Sequence, residues 1–270
     1  MTATVGRDFR ERSVADTSQL PTLYVWSGAG LSADSGIPTF RDVNGLWTQE
    51  DFDRVCNFET WRMYRDEVFD FYDRRLHMIE RVKPNSAHKI LAAWQGRWGP
   101  DRVTLITQNI DGLLEAEGAQ AVTHVHGDLE HMFCVECDLR FPRQGSGFDR
   151  TQSCPRCGEF ESVKPGTIFF NEPAPEYEAI MAMKTRMTQD DIFVAVGTSF
   201  TVVSPYHLLN KDRLSKHRRN VLIDPRPTYT EFFGLVVEES AGTGLGQIAA
   251  RIERAMQEEP TKVDQIARVF

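Results

Sequence analysis

Four of the five cysteines form two close pairs, Cys134 with Cys137 and Cys154 with Cys157, with sixteen residues between the pairs. Each pair can fold as a tight knuckle, and two knuckles can present four thiolates to one tetrahedral ion. A redox pair has no need of the second knuckle, so the spacing points to zinc over thiol–disulfide exchange. Four thiolates leave no open position for water, which makes the ion structural and not the catalyst. Cys56 stands apart and reads as a small buried hydrophobe.

A second group of residues lies where a chain would meet phosphate and sugar. Gly28-Ala29-Gly30-Leu31-Ser32-Ala33 follows the apolar run Leu23–Trp26 and fits the G-x-G-x-x-A form, in which absent side chains let backbone amides approach a pyrophosphate. A plain glycine turn between strand and helix would satisfy the same pattern. Gln108, Asn109 and Asp111 follow the run Val103–Ile106, at a strand end where open α/β sheets gather ligand groups, although an Asx turn capping the next helix also fits. His126 carries an imidazole suited to general-base work near neutral pH; His124, two residues earlier, would face the same side if both lay on one strand.

One charge interrupts an apolar stripe. Val68, Phe71, Tyr72, Arg75, Ile79 and Val82 share a face at helical spacing, and none of Arg75's neighbours three or four residues away is acidic. Arg74 has Asp70 four residues before it and reads as a surface pair. Arg75 therefore looks for an anion outside its helix, with the Tyr72 hydroxyl one turn away; snorkelling to water is the alternative.

The elements that must position these groups alternate. Apolar runs at Leu23–Trp26, Val103–Ile106, Ile192–Val196, Val221–Ile223 and Leu235–Val237 are separated by helical patterns at Phe58–Val82, Ala87–Trp98, Tyr177–Met187, Pro205–Lys216 and Leu245–Glu258. Such alternation predicts an α/β fold, a Rossmann-like parallel sheet with helices on both faces. The cysteine-bearing stretch breaks the rhythm and reads as an inserted module. The organisation expected is a solvated arm over 1–20, a large domain from 21–55, 83–130 and 165–259, and a tail over 260–270. The small domain combines a helical part, 56–82, with a zinc part, 131–164.

Composition narrows the partners. The 270 residues are 41% hydrophobic and 26% charged, as in a globular protein, and no run approaches the roughly 20 apolar residues of a membrane span. The first twenty residues lack the apolar core of a secretory signal. A net charge of −8 disfavours non-specific attraction to nucleic acid or to an anionic membrane. The local basic run Lys211, Arg213, Lys216, Arg218, Arg219 reads as a solvated helix end. Paired cysteines without a disulfide framework place the protein in the cytoplasm, as a monomer or weak oligomer.

The whole segment Gly28–Arg41 resembles the dinucleotide loop of the sirtuin family, of form GAG-x-S-x-x-SGIP-x-FR. The resemblance continues through Thr107–Leu113, His126-Gly127-Asp128, the paired cysteines and Gly197-Thr198-Ser199, spanning roughly Leu23 to Glu253. It implies NAD-dependent removal of acyl groups from lysine-bearing proteins, with nicotinamide and 2′-O-acyl-ADP-ribose as products. An NAD glycohydrolase, an ADP-ribosyltransferase or a non-catalytic NAD sensor would share the cofactor residues.

By resemblance, His126 is the base that takes a proton from the ribose hydroxyls, and Asn109 and Asp111, supported by Gln108, hold the nicotinamide ribose and carboxamide. Gly28, Ala29, Gly30, Ser32, Ala33, Ser35, Gly197, Thr198, Ser199 and Ala241 line the dinucleotide, with Phe40 shielding the reactive carbon and Arg41 orienting phosphate or ribose. The family usually has asparagine near the second ribose. Asp224 stands there in this sequence, and an acid would repel a 2′-phosphate, favouring NAD over NADP. The substrate strand, usually V-x-F-G-E, here reads Ile168–Glu172, so Phe170, Asn171 and Glu172 become the peptide-binding residues, with asparagine where glycine is usual. Tyr72 and Arg75 match the pair that binds acidic acyl groups, succinyl or malonyl, in some sirtuins.

Overall fold

The computed structural model describes residues 20–39 and 54–257; the expected N-terminal arm, Phe40, Arg41 and the C-terminal tail lie outside them, apart from Leu20. In chain order its strands are β1 (Leu23–Ser27), β2 (Val103–Thr107), β3 (Val122–His124), β4 (Gly127–Cys134), β5 (Leu139–Pro142), β6 (Val163–Thr167), β7 (Ile192–Val196), β8 (His217–Ile223) and β9 (Phe233–Val237). The helices are α1 (Gly30–Ala33), α2 (Arg65–Ile79), α3 (Ser86–Trp98), α4 (Leu113–Ala116), α5 (Tyr177–Arg186), α6 (Pro205–Leu208) and α7 (Ala241–Ala255).

Six strands form one parallel sheet in the order β3-β2-β1-β7-β8-β9. The strands β1 and β7 are buried along their whole length, and this is why they read as unbroken apolar runs and not as alternating ones. Successive side chains still part to opposite faces. Leu23, Val25, Val194 and Ile223 meet Leu91 and Trp94 of α3 and Leu245, Ile248 and Ile252 of α7. Tyr24, Trp26, Phe193 and Leu222 meet Ile180 and Met183 of α5 and Leu208 of α6. Each such aliphatic or aromatic side chain contributes about 1.5–3 kcal/mol on burial, so both helical layers are held by the same strands.

A second, antiparallel sheet, β5-β4-β6, carries Cys134 at the end of β4 and the other paired cysteines in its connections, and packs under α2 through Val68, Phe69, Phe71, Tyr72, Leu129, Met132 and Val163. The expected Rossmann-like sheet with a separate cysteine-bearing part is thus present. Among the described residues no helix is long and apolar enough to cross a membrane.

Several expected bounds shift. The helix expected over Phe58–Val82 spans Arg65–Ile79, because residues 57–64 wind as turns around the fully buried Trp61. The Pro205–Lys216 pattern yields only α6 and a 3-10 turn at Lys211–Arg213, since Leu209 turns extended and the Asn210 side chain accepts from Asp212 N–H to start afresh. The basic run there is solvated at Lys211, Lys216 and Arg218, but not at its two other arginines and not as the end of an α-helix. Arg213 is fully buried, donating to the carbonyls of Thr188 and Asp191 and to Asn220, and Arg219 is 5% exposed on β8. Asp70, expected to pair with Arg74, has Arg150 of the cysteine module as its ion-pair partner among the described residues. The last helix begins at Ala241, ahead of the expected Leu245; Gly242 and Gly244 lower its helix propensity but let it close on Asp34 and Ile223.

Candidate active site and zinc centre

The carboxyl ends of β1, β2, β7 and β8 carry the residues expected to meet a dinucleotide, at the point where the chain turns from one half of the parallel sheet to the other. Two loops interlock there. Gly28 N–H donates to the Val196 carbonyl at 3.1 Å and Gly30 N–H to the Gly197 carbonyl at 2.9 Å. A Cβ on Gly30 would stand 2.6 Å from Gly197 Cα, so the approach requires glycine on both sides. Gln108 Nε2 bridges the same loops, donating to Thr198 Oγ1 at 3.1 Å.

Ser32 is the centre of a buried cluster. Its hydroxyl donates to Asp111 Oδ2 at 2.9 Å and accepts from Asn109 Nδ2 at 3.1 Å. His88 completes the set and was not foreseen as a site residue. Its Nδ1 accepts Asn85 N–H at 3.2 Å in the capping box of α3, which leaves Nε2–H facing Ser32 Oγ at 3.4 Å. The Asn85-x-x-His88 spacing at a helix start was the available signal. Burial pulls the His88 imidazole down to about 4, keeping it neutral. Burial also pushes the Asp111 carboxyl above its ordinary value, although Ser32 and the Leu113 N–H oppose that. Ser35 accepts from Asn85 Nδ2, Ala29 caps the short α1 and Ala33 ends it, and Ala241 opens α7. Ser199 accepts Thr228 Oγ1 on its carbonyl, and Asp224, 6% exposed, follows β8 and receives Arg226 N–H.

The two histidines separate. His124 ends β3 with both nitrogens engaged, Nδ1 on the Asn109 carbonyl at 2.7 Å and Nε2 on Glu115 at 2.8 Å. His126 lies in the turn before β4, its backbone carbonyl accepting Ile168 N–H at 2.8 Å. Its Nδ1 faces the Gln108 carbonyl at 3.2 Å and its Nε2 the Tyr177 hydroxyl at 3.1 Å. Burial holds its pKa below the ordinary value, so the ring is neutral and able to accept a proton near pH 7.

Phe170 and Asn171 are exposed between β6 and α5, and Asn171 adopts φ +64°, the left-handed conformation for which asparagine can replace glycine. Glu172 is directed elsewhere. Its carboxylate is buried against Lys164 Nζ at 3.1 Å and accepts Phe169 N–H at 2.7 Å, so it holds the segment's shape from within. Tyr72 stacks on Phe169 with ring centroids 5.7 Å apart and meets Cys56 Sγ at 3.5 Å, while Arg75, 8% exposed, lies over the Phe71 ring. The structure thus brings Tyr72, but not Arg75, into ring contact with Phe169, next to the exposed Phe170 and Asn171.

The four cysteine sulfurs lie within 4.8 Å of one another, with Cys134–Cys157 and Cys137–Cys154 at 3.6 Å. Tetrahedral zinc with Zn–S of about 2.3 Å sets sulfurs about 3.8 Å apart, so the four are positioned to bind one structural zinc ion.

The Sir2 family model matches residues 28–204, from the glycine-rich loop to the segment after β7. This chain belongs to the Sir2 family. In this Sir2-family chain the similarity runs nearly end to end. An NAD-dependent protein deacylase of Campylobacter jejuni is 32% identical over 244 residues, covering 88% of this chain and 99% of that protein. One from Helicobacter hepaticus is 37% identical over 68% of this chain and 77% of its own length. Among solved structures, a Sir2 homologue mutant bound to ADP-ribose superposes with a TM-score of 0.73 at 28% identity, over 88% of this chain and 94% of that one. A Sir2 homologue–NAD complex gives 0.70 at 28% identity, over 89% and 93%.

Proposed function

We infer that the chain is an NAD-dependent protein-lysine deacylase that releases nicotinamide and forms 2′-O-acyl-ADP-ribose. The observation that carries this reading is His126, a neutral ring in the turn before β4 whose Nδ1 is tied to the backbone carbonyl of Gln108, the residue that precedes Asn109 of the Ser32–Asn109–Asp111 cluster. The donor set fits a dinucleotide: amides and carboxylates for ribose hydroxyls and carboxamide, two glycine loops that pack too closely for any side chain between them, and Asp224 for the second ribose. NAD when bound supplies a ribose carbon that can part with nicotinamide and receive the acyl oxygen.

The protein's own groups then have distinct tasks. Asn109, Asp111 and Gln108 orient the nicotinamide end; Gly28, Ala29, Gly30, Ser32, Ala33, Ser35, Gly197, Thr198, Ser199 and Ala241 enclose the remainder. Phe40 and Arg41 belong to the same loop and lie outside the described residues. His126 Nε2 accepts a ribose hydroxyl proton, for which a neutral imidazole with a lone pair on that nitrogen is suited. Phe170 and Asn171 meet the peptide, and Glu172 fixes their backbone. The zinc ion orders the small part of the protein, which we delimit at 56–82 and 131–164; the partners are acylated proteins in the cytoplasm.

Tyr72 and Arg75 favour an acidic acyl group, since a buried planar guanidinium one helical turn from a phenol suits a carboxylate and the phenol ring packs on Phe169 of the segment we assign to the peptide. Charge-assisted bonds of about 1.5–3 kcal/mol predict that Arg75→Met lowers kcat/KM for succinyl- or malonyl-lysine peptides about 10- to 100-fold and leaves acetyl-lysine unaffected. Acetyl turnover that exceeds succinyl, with no effect of Arg75→Met, would end this assignment. The activity itself is tested by mass analysis of products from NAD and acyl peptides. 2′-O-acyl-ADP-ribose, reduced about 10²- to 10⁴-fold in His126→Ala, is expected. Free ADP-ribose formed without peptide would make the chain a glycohydrolase, and no turnover a sensor.

A further inference from the structure

Tyr177 opens α5, half-buried and 51 residues from His126, yet its hydroxyl lies 3.1 Å from His126 Nε2. The opposite nitrogen fixes what this contact must be. Nδ1 faces the Gln108 carbonyl, which only accepts, so in the neutral ring Nδ1 carries the proton and Nε2 presents its lone pair. The phenol is therefore the donor. The ring centroids stand 6.1 Å apart at 39°, so the rings do not stack and the hydrogen bond is the interaction.

The groups around His126 leave this bond as its variable contact. His124 is engaged with Glu115 and the Asn109 carbonyl. Asp128 is engaged with His131 and Arg140. Burial and the Gln108 carbonyl, acting in opposite senses, are what bear on the charge of the ring, and the Gln108 bond is part of the backbone. A lone pair in the ring plane admits one linear hydrogen bond, so a phenol and a ribose hydroxyl exclude each other at Nε2.

We propose that Tyr177 is a positioning residue for His126: its phenol holds the Nε2 lone pair, and with it the ring orientation, in the free enzyme, and yields that lone pair to a ribose hydroxyl when the dinucleotide binds. The proposal rests on His126 as the base. Tyr177 begins the helix that follows the exposed Phe170–Asn171 segment, so the exchange at Nε2 occurs on the chain segment that meets the peptide. Sequence spacing gives no hint of it, because the pairing is made by the fold alone.

Tyr177→Phe keeps the ring and removes the donor. A donor to Nε2 favours the neutral imidazole, so its loss raises the His126 pKa by about half to one unit. NMR titration of the ring should show that rise in the free Tyr177→Phe protein, and none with ADP-ribose bound, where the ribose hydroxyl has replaced the phenol in both proteins. Correspondingly, the acid limb of kcat/KM for NAD should move to higher pH while that of kcat stays in place. An unshifted ring in the free variant, or an equal shift free and bound, overturns the proposal. Undiminished turnover by His126→Ala overturns the base assignment instead, and with it the catalytic meaning of the contact.

Discussion

The interlocked glycine loops yield a stability difference that can be worked from geometry. Gly197 has φ +60°, and a Cβ there would stand 2.6 Å from Gly30 Cα, against backbone that cannot swing aside. Gly36 also has positive φ, +94°, but nothing lies within 4 Å of its Cβ position. Alanine at Gly36 thus meets only the left-handed conformational penalty, about 1–2 kcal/mol. Alanine at Gly197 adds overpacking of about 1–3 kcal/mol, for a total of about 2–5. Gly96, inside α3 with open space around it, should gain about 1 kcal/mol as alanine. At about 2–4 °C per kcal/mol, thermal melts should rank Gly96→Ala above the parent, Gly36→Ala below it and Gly197→Ala lowest. Only Gly197→Ala should also weaken ADP-ribose binding by calorimetry, because only it parts the two loops. If Gly197→Ala melts no lower than Gly36→Ala, the close approach of the loops is not what the glycines serve.

Two further outcomes follow from the metal centre and from His124. Stripping zinc with a chelator should release one ion per chain, lower the melting temperature and expose apolar surface to dye, since Cys134 and Cys154 lie within the core under α2; a metal-free protein with unchanged melting would contradict the structural role. Burial lowers the His124 pKa, but the Glu115 carboxylate and the Asn109 carbonyl outweigh it and the net shift is upward from 6.5. The folded state then holds a proton that the unfolded state sheds, so this stabilisation is complete below about 6.5 and fades as pH rises through the folded value. Stability of His124→Gln should lack that decline, and parallel curves for the two proteins across pH 6–9 would refute it.

The sheet was legible because its strands are buried on both faces, so burial itself writes continuous apolar runs such as Ile192–Val196. The family resemblance located the loops at the strand ends, and the cysteine spacing located the zinc site. What sequence misread are places where polar groups are satisfied over long distances. Arg213 looked solvated because nothing in the local sequence shows that the carbonyls of Thr188 and Asp191 converge on it. Glu172 looked like a ligand group because Lys164 reaches it only through the turn after β6. The strands β4 to β6 around the cysteines carry too short and too irregular an alternation to be seen, and β4 is further interrupted by a register shift between Gly127 and Met132.

The assignment of the base follows from which titratable groups are already spent. Burial favours the neutral forms of His88, Asp111 and His126 alike, so perturbation by itself does not choose among them. Hydrogen bonding does. Both His88 nitrogens are committed, one to the α3 cap and one to Ser32, and both Asp111 oxygens are committed, to Ser32 and to the Leu113 N–H. Opening any of these would leave a buried polar atom unsatisfied, at about 1–3 kcal/mol each. His126 differs, because its Nε2 is held by one phenol whose hydroxyl can be replaced by another without leaving the ring unpaired. Proton transfer belongs where an acceptor can change partners at least cost, and this supports the proposal of His126 Nε2 as the base.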